Sequence, residues 1–345
     1  MLSQFSGSAL AIGAPQVPIG DERQRRAEVA AGRKADGNAL LLRKYGFMKF
    51  FFTFLPILFM LFDFISCRTL SIPEYRISDG KDGIRIVQVS DFHSNDYGEK
   101  EKKLVSAIKD CRPDLILFTG DIFEFRRKGN APVQNVRNLL EGIQGTAPFF
   151  YVTGNHEYLD YHQDEWSWIF EEYGGTVLKD KAVAAELPGG TLIIAGLDDP
   201  FADFPYEVKI KEPDETDAFF KRLEKLAGEA AALKAEINAE GKNAVVILMS
   251  HRPEYIDEYL KYDFDLILSG HAHGGQWRLF GKQNGLYAPG QGFFPKYSGG
   301  CFDFENDPGS RTTFIVSRGL SYQVPRFPRL GNKPELPVVI LPAEE

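Results

Sequence analysis

From Ile84 onward the chain alternates short apolar runs with amphipathic stretches. Ile84 to Ser90, Leu115 to Thr119, Phe149 to Thr153, Leu192 to Gly196, Val245 to Ser250 and Leu266 to Ser269 are largely apolar, as strands buried on both faces are. Between them, Glu99 to Asp110, Gln134 to Gly142, Asp164 to Tyr173, Asp214 to Glu240 and Glu254 to Tyr262 read as helices. The fourth is the clearest. Phe219, Leu223, Leu226, Ala230 and Leu233 line one stripe, Pro213 and Asp214 open it, and Gly241 closes it. After Gly274 come shorter β-like runs, Leu286 to Ala288, Thr312 to Val316 and Val338 to Leu341, among many Gly and Pro turns. Strand-helix alternation followed by a strand-rich end predicts an α/β fold of two packed mixed sheets flanked by helices.

The pattern is different before Ile84. Residues 1–44 are rich in Ala, Gly and charge, with Arg23, Arg25, Arg26, Arg33, Lys34, Arg43 and Lys44, and read as a flexible basic arm. Tyr45 to Cys67 is a run of 23 residues interrupted only by Lys49 and Asp63 among its charged positions, with phenylalanine on every face. At ~1.5 Å per residue it is long enough to cross a hydrocarbon core of roughly 30 Å. The expectation is a single-pass signal anchor over 45–67, a linker over 68–83 and one globular domain over 84–345. Basic residues near the run number five before it (Arg33, Lys34, Arg43, Lys44, Lys49) and four after it (Arg68, Arg76, Lys81, Arg85), which favours a domain outside the cytoplasm. Two alternatives attach to the same stretch. Met48-Lys49 resembles the start of a secretory signal, and Phe64-Ile65-Ser66-Cys67 resembles a bacterial lipoprotein cleavage site that would anchor the chain at Cys67.

A formal net charge of -8 argues against a broad nucleic-acid surface, so no nucleic-acid partner is expected. Cys67, Cys111 and Cys301 are too few and too scattered for a disulfide framework or a cysteine zinc cluster. Histidine is the informative residue. The chain has six, and five fall at the C-terminal ends of the predicted strands, in Asp91-Phe92-His93, Gly154-Asn155-His156-Glu157, His251 and Gly270-His271-Ala272-His273, with Gly120-Asp121 completing the series. In sheets with helical crossovers that edge is where ligands bind, so the groups can converge although far apart in sequence. Singly, each has a structural account: Asp91 and Asp121 as helix caps, Asn155 as a turn residue, His251 as a core imidazole.

These five blocks, in this order and each behind an apolar run, resemble the calcineurin-like metallophosphoesterase superfamily. Gly196-Leu197-Asp198-Asp199-Pro200, Gly274-Gly275-Gln276, Ser317-Arg318-Gly319-Leu320 and Pro334-Glu335-Leu336 are similar to its membrane-associated bacterial branch. The resemblance implies an αββα sandwich holding two divalent metal ions, Mn, Fe or Zn. Asp91, His93, Asp121 and His273 would bind one and Asp121, Asn155, His251 and His271 the other, with Asp121 bridging. It further implies a phosphohydrolase acting on phosphodiester or pyrophosphate bonds by attack of activated water, with His156 stabilising charge on, or protonating, the leaving oxygen. Phosphomonoesters and UDP-diacylglucosamine-type lipids are alternative substrates, and a lipid-linked phosphate suits a site tethered near a membrane. A non-catalytic scaffold of the same fold would lack ligands, and none of the expected ones is missing. Glu157 and Asp96 read either as supports of the ligands or as turn residues. Phe125-Arg126-Arg127-Lys128 reads as a solvated charge run, His162 as a surface residue, and Tyr158, Tyr161, Trp166 and Trp168 as packing or a substrate wall.

Overall fold

The computed structural model describes residues 69–77, 83–124, 131–159, 163–204, 217–278, 284–305, 311–324 and 327–343, together with 23–34 and scattered positions between 45 and 57. The chain divides into two units, Met1–Leu61 and Phe62–Glu345. In the first, 23–34 is helical and exposed throughout. No helix among the described residues is long and apolar enough to cross a membrane, and most of the 45–67 run lies outside them. Its described positions Phe50, Phe52, Phe54 and Ile57 are helical and 50–72% exposed.

The second unit opens with β1 (Glu74–Arg76) and β2 (Ile84–Val89), then α1 (Lys102–Asp110), β3 (Leu115–Thr119), α2 (Ala131–Ile143), β4 (Phe149–Val152), α3 (Asn155–Tyr158), α4 (Gln163–Glu172) and β5 (Thr176–Val177). It continues through β6 (Lys181–Leu187), β7 (Gly190–Leu197), α5 (Asp217–Ala239), β8 (Val245–Ser250), α6 (Ile256–Tyr259) and β9 (Leu266–Ser269). A small hairpin, β10 (Tyr287–Ala288) and β11 (Gly292–Phe293), precedes β12 (Gly300–Glu305) and β13 (Arg311–Val316). A second hairpin, β14 (Gln323–Val324) and β15 (Phe327–Pro328), leads to the closing strand β16 (Val338–Leu341).

Two six-stranded sheets result, ordered β1-β16-β2-β3-β4-β5 and β12-β13-β9-β8-β7-β6. Strands β2 to β5 are parallel, as are β7, β8, β9 and β13. The two-residue period of a strand accounts for the layering. Ile84 and Ile86 on β2 and Leu115 and Leu117 on β3 join Ile247, Met249, Leu266 and Leu268 in the core between the sheets. The alternate residues Val87, Val89, Ile116 and Phe118 pack with Leu104, Ile108, Leu139 and Phe170 of the helices outside. On the other flank Phe219, Leu223, Leu226 and Ala230 of α5 cover Ile193, Val246 and Leu248. Both faces of the central strands are therefore largely dry, which explains their mainly apolar runs.

Some expectations change. Within the stretch read as a linker, Glu74–Arg76 forms an edge strand parallel to β16. Lys181–Leu187 and Gly300–Glu305 are strands at sheet edges, alternately exposed, and lack the continuous apolar signature. The stretch Glu254 to Tyr262 breaks into a 3₁₀ turn at Pro253–Tyr255 and the single turn α6. Residues 125–130, 160–162 and 213–216, including His162, Tyr161 and the Pro213-Asp214 helix opening, lie outside the described residues.

Candidate metal centre and its histidine shell

Strands β2, β3 and β4 of one sheet and β7, β8 and β9 of the other are parallel within their sheets, and the polar motifs directly follow their C-terminal ends. Buried Gln88 aligns the two sheets just below them. Its Nε2 donates to Thr119 Oγ1 at 3.0 Å on the neighbouring strand and to the Ser269 carbonyl at 2.9 Å across the sandwich. The loops then lock together: Asp91 N donates to Gly120 O and His93 N to Asp121 O, both at 3.0 Å. Asp91, His93, Asp121, His271 and His273 all take positive φ, between 47 and 64°. Non-glycine residues rarely adopt this conformation, and its cost, about 1–3 kcal/mol each, is tolerated where the surroundings over-determine the backbone, commonly at functional sites.

The side chains converge in a buried cluster. Asp91, His93, Asp121 and His273 can each direct a ligand atom to one point, and so can Asp121, His251 and His271, each set lying within 4.8 Å of one another. Asp121 belongs to both. Its Oδ2 lies 3.2 Å from His251 Nε2 and 3.6 Å from His93 Nε2. His273 Nε2 lies 3.3 Å from His93 Nε2 and 3.5 Å from Asp91 Oδ1. Glycine is required where the candidate ligands crowd. A Cβ on Gly154 would come within 2.3 Å of Asp121 Oδ1, and one on Gly270 within 2.5 Å of Asp91 Oδ2.

The protein around this cluster sets its charge. Burial, the largest influence, acts upward on Asp121, yet the imidazoles of His251, His156 and His93 hold it well below the usual carboxylate range. Burial pushes Asp91 up. For His251, burial acts downward, but Asp121, Asp91 and Asp199 outweigh it and raise its pKa to about 10. Burial first, then Arg252 for His271 and His93 for His273, keep those two imidazoles neutral, the form a metal ligand needs.

The donor set fits divalent cations. Its N and O ligands are the kind that suit Mn, Fe or Zn. His251 Nδ1 sits 2.8 Å from the Thr119 carbonyl, which can only accept, so Nδ1 keeps its proton and Nε2, facing Asp121, is the nitrogen that would release its proton on binding a metal ion. The buried Asn155 Oδ1 makes no hydrogen bond, as expected of a group that completes its bonding on an ion.

Three residues that the sequence left aside or undecided take part. Glu157, fully buried, is a structural clamp. Its Oε2 accepts from Asp121 N and Gly154 N (3.0 and 2.7 Å), and its Oε1 from Ile122 N and Phe123 N (2.7 and 3.1 Å). Burial and then Asp121 raise its pKa to about 7. Glu124 lies 3.2 Å from His93 Nδ1 and 3.4 Å from His156 Nδ1. Its position three residues after Asp121, amid buried apolar neighbours, was the available signal. Arg252 forks onto Asp199 through Nε (2.6 Å) and Nη2 (3.2 Å) and reaches His271 Nε2 at 3.2 Å through Nη1, which explains the Asp198-Asp199 turn. Asp96, by contrast, is exposed and serves a turn, accepting from Gly98 N at 2.7 Å.

His156 sits against the cluster, its ring 4.4 Å from that of His93 and its backbone N donating to Asp121 Oδ1 at 2.8 Å. Burial acts to lower its pKa, but Asp121 and Glu124 outweigh it, so the ring holds its proton above the ordinary imidazole range.

An αββα sandwich with a carboxylate shared between two imidazole clusters at the strand ends defines a class of metal-dependent hydrolases. Residues 84–275 match the calcineurin-like phosphoesterase family, and the chain belongs to it. It is 30% identical to the uncharacterized metallophosphoesterase YkuE of Bacillus subtilis over 269 residues, 77% of this chain and 81% of that protein. It is 29% identical to YpbG of the same organism, over 76% and 82% of the two chains. The UDP-2,3-diacylglucosamine pyrophosphatase LpxG of Chlamydia trachomatis is 26% identical over 69% of this chain and 78% of its own. The chain spans only 41% of the length of a related Caenorhabditis elegans protein.

Proposed function

We propose that the protein is a two-metal phosphohydrolase that cleaves phosphodiester or pyrophosphate bonds close to a membrane. The observation that carries this reading is Asp121, whose Oδ2 lies 3.2 Å from His251 Nε2 and 3.6 Å from His93 Nε2 and which belongs to both clusters, so that it would be shared by two ions. Asp91, His93, Asp121 and His273 would hold the first ion, and Asp121, Asn155, His251 and His271 the second. When bound, such ions supply Lewis acidity toward a phosphoryl group and toward water.

The chain's own residues do the rest. His156, kept protonated by Asp121 and Glu124, gives its proton to the leaving oxygen. Arg252 fixes the His271 ring, and Glu157 fixes the backbone that aims Asp121. The LpxG relative supports a pyrophosphate bond in a lipid-linked substrate, and the apolar run 45–67 supports an anchor that keeps the domain near the bilayer. The test is hydrolysis of bis(p-nitrophenyl) phosphate against p-nitrophenyl phosphate by metal-stripped protein resupplied with Mn²⁺ or Zn²⁺. Metal-restored preference for the diester is expected; a preference for the monoester would reassign the enzyme as a phosphomonoesterase.

A further inference from the structure

Residues 69–73, the first ones described in the second unit, lie on the same edge as the metal centre. Strand β2 ends at Val89, two residues before Asp91, and β16 runs antiparallel to it with Val338 opposite Val87, so β16 begins at that edge. Since β1 is parallel to β16, with Glu74 opposite Val338, the residues ahead of Glu74 lie there as well. Ser71 N donates to Pro334 O and Leu336 N to Ser71 O, both at 2.9 Å, and Glu335 N donates to Gly319 O at 3.0 Å. A Cβ on Gly319 would meet Asp91 Cβ at 2.6 Å, so only a few residues separate the chain's entry from a candidate ligand. Cys67, where the apolar run ends, is four residues before Ser71, at most about 14 Å of extended chain.

A second feature lies on the same rim. Leu286 N donates to Gly275 O at 2.8 Å, two residues past His273, and carries the β10-β11 hairpin beside the metal centre. That hairpin presents Phe293 and Phe294 to solvent at 71% and 78% exposure, with Tyr287 and Trp277 at 43% and 37%. Phe294 holds this position with φ +58°, a backbone angle unusual for a bulky residue. The Tyr287 and Phe293 rings lie 5.4 Å apart, and exposed aromatics grouped in this way mark an interaction surface, with Trp and Tyr at home at the headgroup level of a bilayer. The neighbouring entry of a chain carrying a 23-residue apolar run selects lipid over a protein partner.

We infer that the metal-site face of this domain rests on a lipid bilayer, with Phe293 and Phe294 dipping into the interface, so that the centre takes phosphoesters whose scissile phosphorus sits at headgroup level. The inference rests on the phosphohydrolase and membrane-anchor readings above and adds orientation and substrate class to them.

The test uses the full chain reconstituted into phosphatidylcholine and phosphatidylglycerol vesicles (3:1), carrying Phe294→Trp. The emission of the added indole, taken as variant minus parent, should be shifted to the blue and quenched at least two-fold by phosphatidylcholine brominated near the glycerol end of its acyl chains. Emission at the solvent wavelength, quenched by acrylamide and untouched by bromolipid, would overturn the inference. In parallel, the double variant Phe293→Ser, Phe294→Ser should hydrolyse bis(p-nitrophenyl) phosphate within two-fold of the parent. Turnover of a diacylglycerol p-nitrophenyl phosphodiester in the same vesicles should fall at least ten-fold. Equal loss on both substrates would assign the hairpin a structural role and overturn the inference. Quenching requires no turnover, so its failure in protein that still cleaves the soluble diester sinks the orientation alone; absence of metal-restored turnover sinks the hydrolase reading.

Discussion

Glu157 holds Asp121 by its backbone: the Glu157 Oε2 atom accepts the Asp121 N–H at 3.0 Å, and the same carboxylate takes three more backbone donors, from Ile122, Phe123 and Gly154. A single buried side chain thus welds the loop after β3 to the loop after β4 and sets where the shared carboxylate stands. Replacing Glu157 by Gln turns one of the two acceptors into a donor facing N–H groups. Leaving those donors buried and unpaired costs about 1–3 kcal/mol each. Denaturant unfolding of metal-free protein should register a loss on the order of 3 kcal/mol, together with reduced metal content. Unchanged stability would deny Glu157 this role.

Asp121→Ala and His156→Ala should separate binding from chemistry. The first removes the carboxylate common to both clusters and should abolish turnover with most of the bound metal. The second should lower kcat by about 10²–10⁴, the usual worth of general acid catalysis, while elemental analysis finds metal content near that of the parent. Equal metal loss in both variants would contradict the roles assigned.

Glu124 should be visible in the pH profile. With Asp121 it raises the His156 pKa against the downward effect of burial. An acid that must be protonated loses its function as pH rises through its pKa. Glu124→Gln removes one of the two supports, so the alkaline limb of kcat should move to lower pH. A limb that stays in place would mean that another group sets it.

Asp198 makes stability depend on pH in the opposite sense from a paired surface carboxylate. Burial first, then Asp180, raise its folded pKa to about 6 from an ordinary 3.8, although Tyr158 and Thr153 donate to it. The folded state therefore binds this proton more tightly than the unfolded state does. The stabilisation is fully present below about pH 4 and is lost as pH rises through about 6, a change of roughly 3 kcal/mol. The stability of Asp198→Asn relative to the parent should rise by about that amount between pH 4 and pH 8 in urea unfolding. A difference independent of pH would refute the assignment.

Gly270→Ala tests the packing beneath the ligands. Its Cβ would meet Ser90 Oγ at 2.0 Å and Asp91 Oδ2 at 2.5 Å, and Ser90 Oγ itself donates to Asp91 Oδ2 at 2.7 Å. The methyl group must displace the candidate ligand, so metal affinity should fall at least ten-fold. Affinity equal to the parent's would imply a more yielding loop.

The sequence alone determined the central strands and the order of the polar blocks behind them, because strands dry on both faces must be apolar throughout and their ends are where polar side chains can stand. It could not determine the amphipathic edge strands β6 and β12, whose alternate positions face solvent, nor the edge strand β1, whose two partly polar flanks read as linker. The candidate ligand series from Asp91 to His273 was legible as residue types at strand ends. That Asp121 lies within 3.6 Å of both His251 and His93 was decided by tertiary structure, since it depends on the strand order in two sheets and on how they face each other, where Gln88 bonds across to Ser269. The roles of Glu124, marked in the sequence only by its closeness to Asp121, and of Arg252 were hidden for a related reason. A charged residue in a loop is ordinarily solvated, and only the arrival of the loops after β2 and β4 beside Glu124, and of those after β7 and β9 beside Arg252, makes one a partner of His93 and His156 and the other a support of His271.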